Sequence, residues 1–318
     1  LLRWFDPVAL REIAQILEAC LERSRRVISR VKHPTLKKMA ELCLSNILRP
    51  ILWQSDADLR VRKKVTQYLE GTALRAFFEE VTRQGEKLFP YLSLLQSAIV
   101  PPSTGGPQGG YLPPHEVYAG DARTLDSILP SHVGAYDVLI TSPPYATALP
   151  YIDTDRLSLI VLGLLPRKEH REREQTMIGN REVTESQRQE LWETYLKRKS
   201  ELPEDVCQII DALASSNHGD EVGFRRRNLP ALLAKYFLDM TEALQSAHQM
   251  MRPGSYAFYV VGNNSTRVNG VRIEIPTNEF LWQIGKRVGW SGERRVDMEL
   301  LPSRDIFRHN RGSSETIL

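Results

Sequence analysis

A serine, two prolines and a tyrosine stand in succession at Ser142-Pro143-Pro144-Tyr145. Directly before them runs Tyr136-Asp137-Val138-Leu139-Ile140-Thr141, an apolar, strand-like stretch. Two consecutive prolines end a strand and remove two backbone N–H donors, so the chain leaves the sheet stiffly. The turn then presents a hydroxyl, acceptor carbonyls and an aromatic ring. An apolar strand, a rigid polar turn and an aromatic residue form the layout of a site at the carboxyl edge of a parallel sheet, where open α/β sheets bind ligands. Taken alone, Pro-Pro-Tyr is equally a surface turn.

The neighbouring elements must decide between the two. Upstream, Glu116-Val117-Tyr118-Ala119-Gly120-Asp121-Ala122-Arg123 reads as a short strand ending in Gly-Asp. Downstream, Tyr151 to Leu164 reads as a helix, followed by a charged stretch from Pro166 to Glu185 and a helical hairpin through Leu191, Tyr195, Val206 and Leu213. Ser215 to Arg227 reads as a loop. Leu233 to Met251 is an amphipathic helix leading through the turn Arg252-Pro253-Gly254 into a strand from Ser255 to Gly262, with Asn263-Asn264-Ser265 as a turn behind it. Thr277 reads as the cap of a helix ending near Gly289. Strands follow at Arg294–Leu301 and Glu315–Leu318.

In this order the segments resemble the amino-group DNA methyltransferases, with Ser142-Pro143-Pro144-Tyr145 in the place of their motif IV. These enzymes move a methyl group from S-adenosylmethionine to the exocyclic amine of cytosine or adenine. The resemblance implies that Ser142 and the carbonyl of Pro143, followed by Pro144, hold the amine. Acceptors there draw its lone pair out of conjugation and stabilise the charge that develops on attack. Tyr145 would stack on a base rotated out of the duplex. Gly120, Asp121 and Ala122 match the segment that contacts the cofactor's adenine. The fold implied is a Rossmann-like α/β sheet of the class I methyltransferases, present from its third strand onward. Its sixth and seventh strands form an antiparallel hairpin.

Residues 1–98 read as helices. Leu10, Ile13, Leu17, Leu21 and Ile28 recur at helical spacing. Pro34 opens a second helix and Pro50 closes it. A third helix begins near Asp56, carries Val61, Val65, Tyr68 and Leu69 on one side, and breaks near Gly85 or Pro90. The division expected is therefore a helical region over 1–98, a Pro- and Gly-rich linker over 99–115, and a catalytic domain over 116–318 with a helical insertion at 166–228. The glycines at 105–110 are not a phosphate cradle, because no strand precedes them and no helix follows. In the DNA-methylase subgroup this chain resembles, a helical insertion begins with a Trp-Phe element. Trp4-Phe5 matches it, and Asp56-Ala57-Asp58-Leu59-Arg60 resembles a later part.

The cofactor's Gly-rich turn and ribose-binding acid have no match before Gly120. The expectation is that the first two strands lie on an upstream segment or on a separate chain. This chain alone should then bind S-adenosylmethionine weakly or not at all. In the family this chain resembles, serine at the first motif position favours cytosine, which implies cytosine N4 in double-stranded DNA as the target. The alternatives are adenine N6, a tRNA amino-group methylase that shares the fold, and a non-catalytic DNA-binding subunit.

The 318 residues carry a net charge of +3, 42% apolar and 25% charged side chains, values ordinary for a globular protein. No apolar run reaches the roughly 18 residues of a membrane span, and the polar, helical opening segment gives the expectation of no signal peptide. Cys20, Cys43 and Cys207 are too scattered for a disulfide framework or a metal site. A cytoplasmic protein without metal is the expectation. The basic cluster Arg225-Arg226-Arg227 is the best candidate for phosphate contacts, its alternative being a solvated face. Tyr151 and Arg156 either line the base pocket or pack in the next helix. Asn263 and Asn264 sit where the fifth strand ends, either as substrate contacts or as turn residues.

Overall fold

The computed structural model describes residues 1–26, 33–53, 63–97, 115–146, 151–180, 183–217, 222–268, 270–299 and 314–318. Most of the expected linker, the Asp56–Arg60 match and the expected start of the third helix lie outside these residues. The chain divides into two units, Leu1–Val117 with Asp153–Lys168, and Tyr118–Ile152 with Glu169–Leu318.

The first unit is helical: α1 (Pro7–Arg26), α2 (His33–Ile51) and α3 (Thr72–Ser97), joined by most of α5 (Tyr151–Val161). Phe5, Ile13, Ile16, Leu44, Ile47, Leu48 and Leu157 form its core. At its centre lies Glu12, 4% exposed. Its carboxylate accepts from Tyr68 Oη (2.8 Å) and from the backbone N–H groups of Gly71 (2.6 Å), Ala73 (3.0 Å) and Leu74 (3.4 Å). These donors sit at the start of α3, where N–H groups have no intrahelical acceptor and the helix dipole favours negative charge. One acid on α1 thus caps another helix. Burial raises the Glu12 pKa, but the bonds from Gly71, Tyr68, Leu74 and Ala73 outweigh it and hold it below its usual value.

Two expectations here need correction. Val65, Tyr68 and Leu69 are not helical; α3 starts at Thr72, behind Gly71 with φ +86°. Nor does α3 break, since both Gly85 and Pro90 lie inside it. Its buried side is anchored by Glu80, which accepts from Asn46 Nδ2 (2.7 Å), Gln84 Nε2 (2.6 Å) and Arg83 (2.7 Å).

The second unit is mixed α/β. Its sheet has the order β1-β2-β6-β5, with β1 (Tyr136–Thr141), β2 (Met251–Gly262), β5 (Val296–Glu299) and β6 (Ser314–Ile317). β1 and β2 are parallel; β2–β6 and β6–β5 are antiparallel. A separate hairpin, β3 (Asn264–Val268) with β4 (Val271–Ile275), replaces the turn expected after Asn263. Short α4 (Leu125–Ile128) precedes β1, and α6 (His170–Thr176), α7 (Glu185–Arg198) and α8 (Glu204–Ser216) follow α5. The 27-residue helix α9 (Phe224–Met250) runs straight into β2 and supplies Leu233, Tyr236, Phe237 and Met240 to the core, all essentially inaccessible. α10 (Thr277–Arg287) follows β4.

Three further corrections concern this unit. Arg225 to Arg227 begin α9 instead of lying in a loop, and Arg252-Pro253-Gly254 falls within β2, where the register with β1 slips. Thr277 is the first residue of α10 and not its cap, a position taken by Pro276. Glu116 to Arg123 forms no strand; Val117 is 93% exposed and Ala122–Thr124 is a 3₁₀ turn. The sheet therefore begins one strand later than expected. The reason is physical: a strand needs a neighbour for its backbone groups, and none among the described residues adjoins this segment.

The two faces of the β1–β2 pair differ. Val138 is in register with Tyr256, and Ile140 with Phe258; all four are exposed, Ile140 by 74%. On alternate positions, Leu139 and Ala257 are followed along β2 by the half-buried Tyr259 and the buried Val261. Side chains alternate along a strand, so one face is covered and the other open.

Candidate active site

β1 ends at Thr141 and delivers Ser142 to the surface, with Pro143 buried behind it. Pro143 and Pro144 stiffen this exit. Tyr145 is half-buried. Its hydroxyl donates to a Glu315 carboxylate oxygen on β6. Its ring lies against Gly262 at the end of β2, where a Cβ would stand 3.4 Å from the ring. Ala146, 1% exposed, closes the turn, and its carbonyl accepts from Asn264 Nδ2. The turn is held at three points by three strands: its own β1, Gly262 of β2 and Glu315 of β6, with Asn264 of β3 as a fourth tether.

Asn263 and Asn264 both bond to the protein's own chain. Asn263 Oδ1 accepts from Asn278 N (3.0 Å) in the first turn of α10, while Asn264 fixes the loop carrying Tyr145. Neither role was visible in the spacing. Glu315, expected only to open the last strand, anchors the tyrosine.

A second cluster surrounds the Gly-Asp segment. A Cβ on Gly120 would stand 2.2 Å from Ile128 Cδ1, so the backbone there is pressed against α4. Asp121 Oδ1 accepts from Arg123 N (3.0 Å) and from Arg123 Nε (3.0 Å), and Oδ2 from Arg123 Nη2 (2.6 Å). Arg123 also donates to Asp239 Oδ1 (2.8 Å) and to the carbonyl of Thr176 (2.9 Å). Lys235 binds the other Asp239 oxygen and the Met177 carbonyl (3.1 Å). The hydrogen bond from Arg123, the larger effect, holds the Asp121 carboxyl below its usual range despite some burial. Bonding to Asp121, then attraction to Asp239, pushes the Arg123 guanidinium up. This network fastens the 118–128 segment to α9, and Leu125 N adds a bond to Ser246 Oγ (2.8 Å). Arg123 was the residue sequence reading missed; its only signal was a basic residue two places after Asp121.

The remaining candidates are dispersed. Arg156 belongs to the helical unit and pairs with Asp153 at 2.8 Å. Tyr151 begins α5. Arg225 and Arg226 are exposed in the first turn of α9, and Arg227 is partly buried.

The chain is 21% identical over 179 residues to the type II methyltransferase M.MvaI of Kocuria varians, which covers 54% of this chain and 35% of the relative. It is 25% identical over 161 residues to the type II methyltransferase M.AvaI of Nostoc sp. and of Anabaena variabilis, covering 50% of this chain and 32% of each relative. The chain thus spans about a third of the length of the curated relatives it matches. No protein-family model matches, and no solved structure does. These distant relatives are type II methyltransferases.

Proposed function

We propose that this chain carries the base-binding half of an S-adenosylmethionine-dependent DNA methyltransferase that acts on an exocyclic amine, with cytosine N4 as the target. The single observation that carries this reading is the exit of β1. An exposed serine hydroxyl and a proline-stiffened turn stand beside a tyrosine whose position is fixed by Gly262 and Glu315. In this reading Ser142 Oγ and the Pro143 carbonyl accept from the amine, and the Tyr145 ring meets the face of a base taken out of its duplex. The strand order, parallel at β1–β2 and antiparallel at β6–β5, supports a Rossmann-like methyltransferase sheet beginning at its fourth strand.

S-adenosylmethionine would supply the methyl group. The described residues fit one corner of its site. The tight backbone at Gly120 and the 43%-exposed Asp121 side chain suit an adenine edge. A Gly-rich turn behind a strand is not found among the described residues. β1 pairs there on one side only, and its exposed apolar face adjoins that free edge. In this reading the strand bearing the Gly-rich turn adds at the free edge, from another segment or another chain.

Mass spectrometry of DNA from cells expressing the full-length protein tests the target. N4-methylcytosine is expected, and methyladenine alone reverses the choice of base. Ser142→Ala and Tyr145→Ala should each cut methyl transfer by about a hundredfold or more, as when an electrostatic donor or acceptor is removed from the reacting centre. Retention of full activity by both variants would show the turn to be only a turn.

A further inference from the structure

The hydroxyl end of Tyr145 is seated over one cross-strand pair. Gly262 of β2 and Glu315 of β6 stand directly opposite each other in the antiparallel ladder. The Cβ directions of such a pair leave the sheet on the same side. A Cβ on Gly262 would lie 3.4 Å from Tyr145 Cζ, 3.5 Å from Cε2 and 3.6 Å from Oη. Oη donates to the Glu315 carboxylate. Residues two apart on a strand share a face, so Gly262 belongs to the same side of β2 as the exposed Tyr256 and Phe258. Tyr145 and Glu315 thus meet on the open side of the sheet, at the carboxyl end of β2.

The bond is not what places β6. That strand pairs with β2 on one side and with β5 on the other. The buried Thr316, next to Glu315, accepts from Asn278 Nδ2 (2.9 Å) and donates to Asp297 Oδ1 (2.7 Å), which ties the strand to α10 and β5 as well. The tyrosine is the member with freedom to lose. Its backbone is set by the exit of β1 behind two prolines, but its ring still turns about two torsions. A bond at Oη, the atom farthest from the backbone, fixes the direction in which the ring points. A carboxylate only accepts, so the phenol proton is committed to Glu315 and not offered to a ligand. Hydrogen bonds to charged acceptors are also the stronger ones.

We infer that Glu315 is a positioning residue for the target base. Acting through the Tyr145 hydroxyl, it sets the angle of the ring on which the base stacks, and it confines Tyr145 to stacking by taking up its one donor. The inference rests on the DNA-methyltransferase reading and extends that site from the β1 exit to the last strand, 170 residues away in sequence.

Steady-state methyl transfer to duplex DNA by the full-length protein tests it, with kcat and the KM for DNA read separately. Glu315→Ala and Tyr145→Phe break the same bond, so each should lower kcat by a similar factor, about tenfold. The KM for DNA should stay within about threefold of wild type, because duplex affinity comes mainly from phosphate contacts. Glu315→Gln keeps an acceptor oxygen and should recover most of the loss. In the Tyr145→Phe protein, Glu315→Ala should lower kcat no further, since the hydroxyl it acts through is already gone. A purely structural role in β6 would give the same loss with or without that hydroxyl, and this result overturns the inference. So does a kcat within about twofold of wild type in folded Glu315→Ala. If Glu315→Ala does not fold by circular dichroism, Glu315→Asp, which draws the carboxylate back by one carbon, replaces it in every comparison. An active wild type with unchanged Glu315 variants removes Glu315 and leaves the methyltransferase reading in place. A wild type that methylates no DNA removes that reading, and this inference with it.

Discussion

The helical unit and the sheet unit have settled their exposed and buried groups in opposite ways. In the helical unit the most demanding buried group, the Glu12 carboxylate, takes four donors and in doing so caps α3. In the sheet unit, Val138, Ile140, Tyr256 and Phe258 form an apolar surface in register across two strands and leave it in water. Monomeric proteins rarely leave a contiguous apolar face of this kind uncovered. The contrast teaches where to look for stability and where for partners. The helical unit meets its buried carboxylate from within, whereas among the described residues the sheet offers a free edge directly beside the turn that carries the candidate chemistry.

The largest effect should come from breaking the closed side. Glu12→Ala leaves the N–H groups of Gly71 and Leu74 and the Tyr68 hydroxyl without this acceptor in a largely buried place, while Ala73 N keeps Tyr68 Oη at 2.8 Å. Each such group costs about 1–3 kcal/mol, and relaxation or water entry recovers part of the sum. A loss of about 3 kcal/mol in urea unfolding of the helical unit is expected. A loss below about 0.5 kcal/mol, the range of an ordinary surface substitution, would show that α3 does not depend on this cap.

Acid provides a graded version of the same test. The Arg83 hydrogen bond, the largest effect, with those of Gln84 and Asn46, lowers the Glu80 pKa to about 2 against the opposing cost of burial. The folded value is depressed. Its stabilisation is therefore complete above the unfolded value, about 4.3 for a glutamate, and is lost as pH falls through about 2. The Glu80 side chain is only 8% exposed, so the contribution is of order 2–3 kcal/mol at neutral pH. Melting temperatures measured from pH 6 to about 2 should fall more steeply in the wild type than in Glu80→Gln. Parallel curves would remove Glu80 from the account.

Sequence legibility followed the same division. Elements that carry their own signal were readable. The apolar run at 136–141 became β1, the alternating run after Ser255 became part of β2, and the spacing of Tyr195, Val206 and Leu213 became α7 and α8. Features decided by distant partners were not. Nothing local says that Gly85 and Pro90 stay within a helix, because the support for α3 comes from Glu12 and from Asn46, 34 residues before Glu80. The tethers on the candidate turn, Asn264 and Glu315, lie 118 and 170 residues from their partners. The Gly-Asp segment misled for the reverse reason. Val117 and Tyr118 have strand-forming side chains, but β propensity is largely a measure of fit against neighbouring strands. Without a neighbour, the Arg123 network draws the segment onto α9.

The smallest effect is the sharpest test of the open edge. Ile140 keeps 74% of its surface exposed, so replacing it with threonine removes little apolar area from a buried place. Threonine keeps the β-branch and suits a strand. Ile140→Thr in this chain should therefore shift urea stability by less than about 0.5 kcal/mol. In a form of the protein that supplies a strand to the free side of β1 and covers this face, the same change buries a hydroxyl and forfeits apolar contact. It should then cost about 2 kcal/mol or more. The difference between the two measurements, not either alone, carries the argument. A large cost already present in this chain would mean that Ile140 is covered by residues of its own. A small cost in both forms would leave the face open in each.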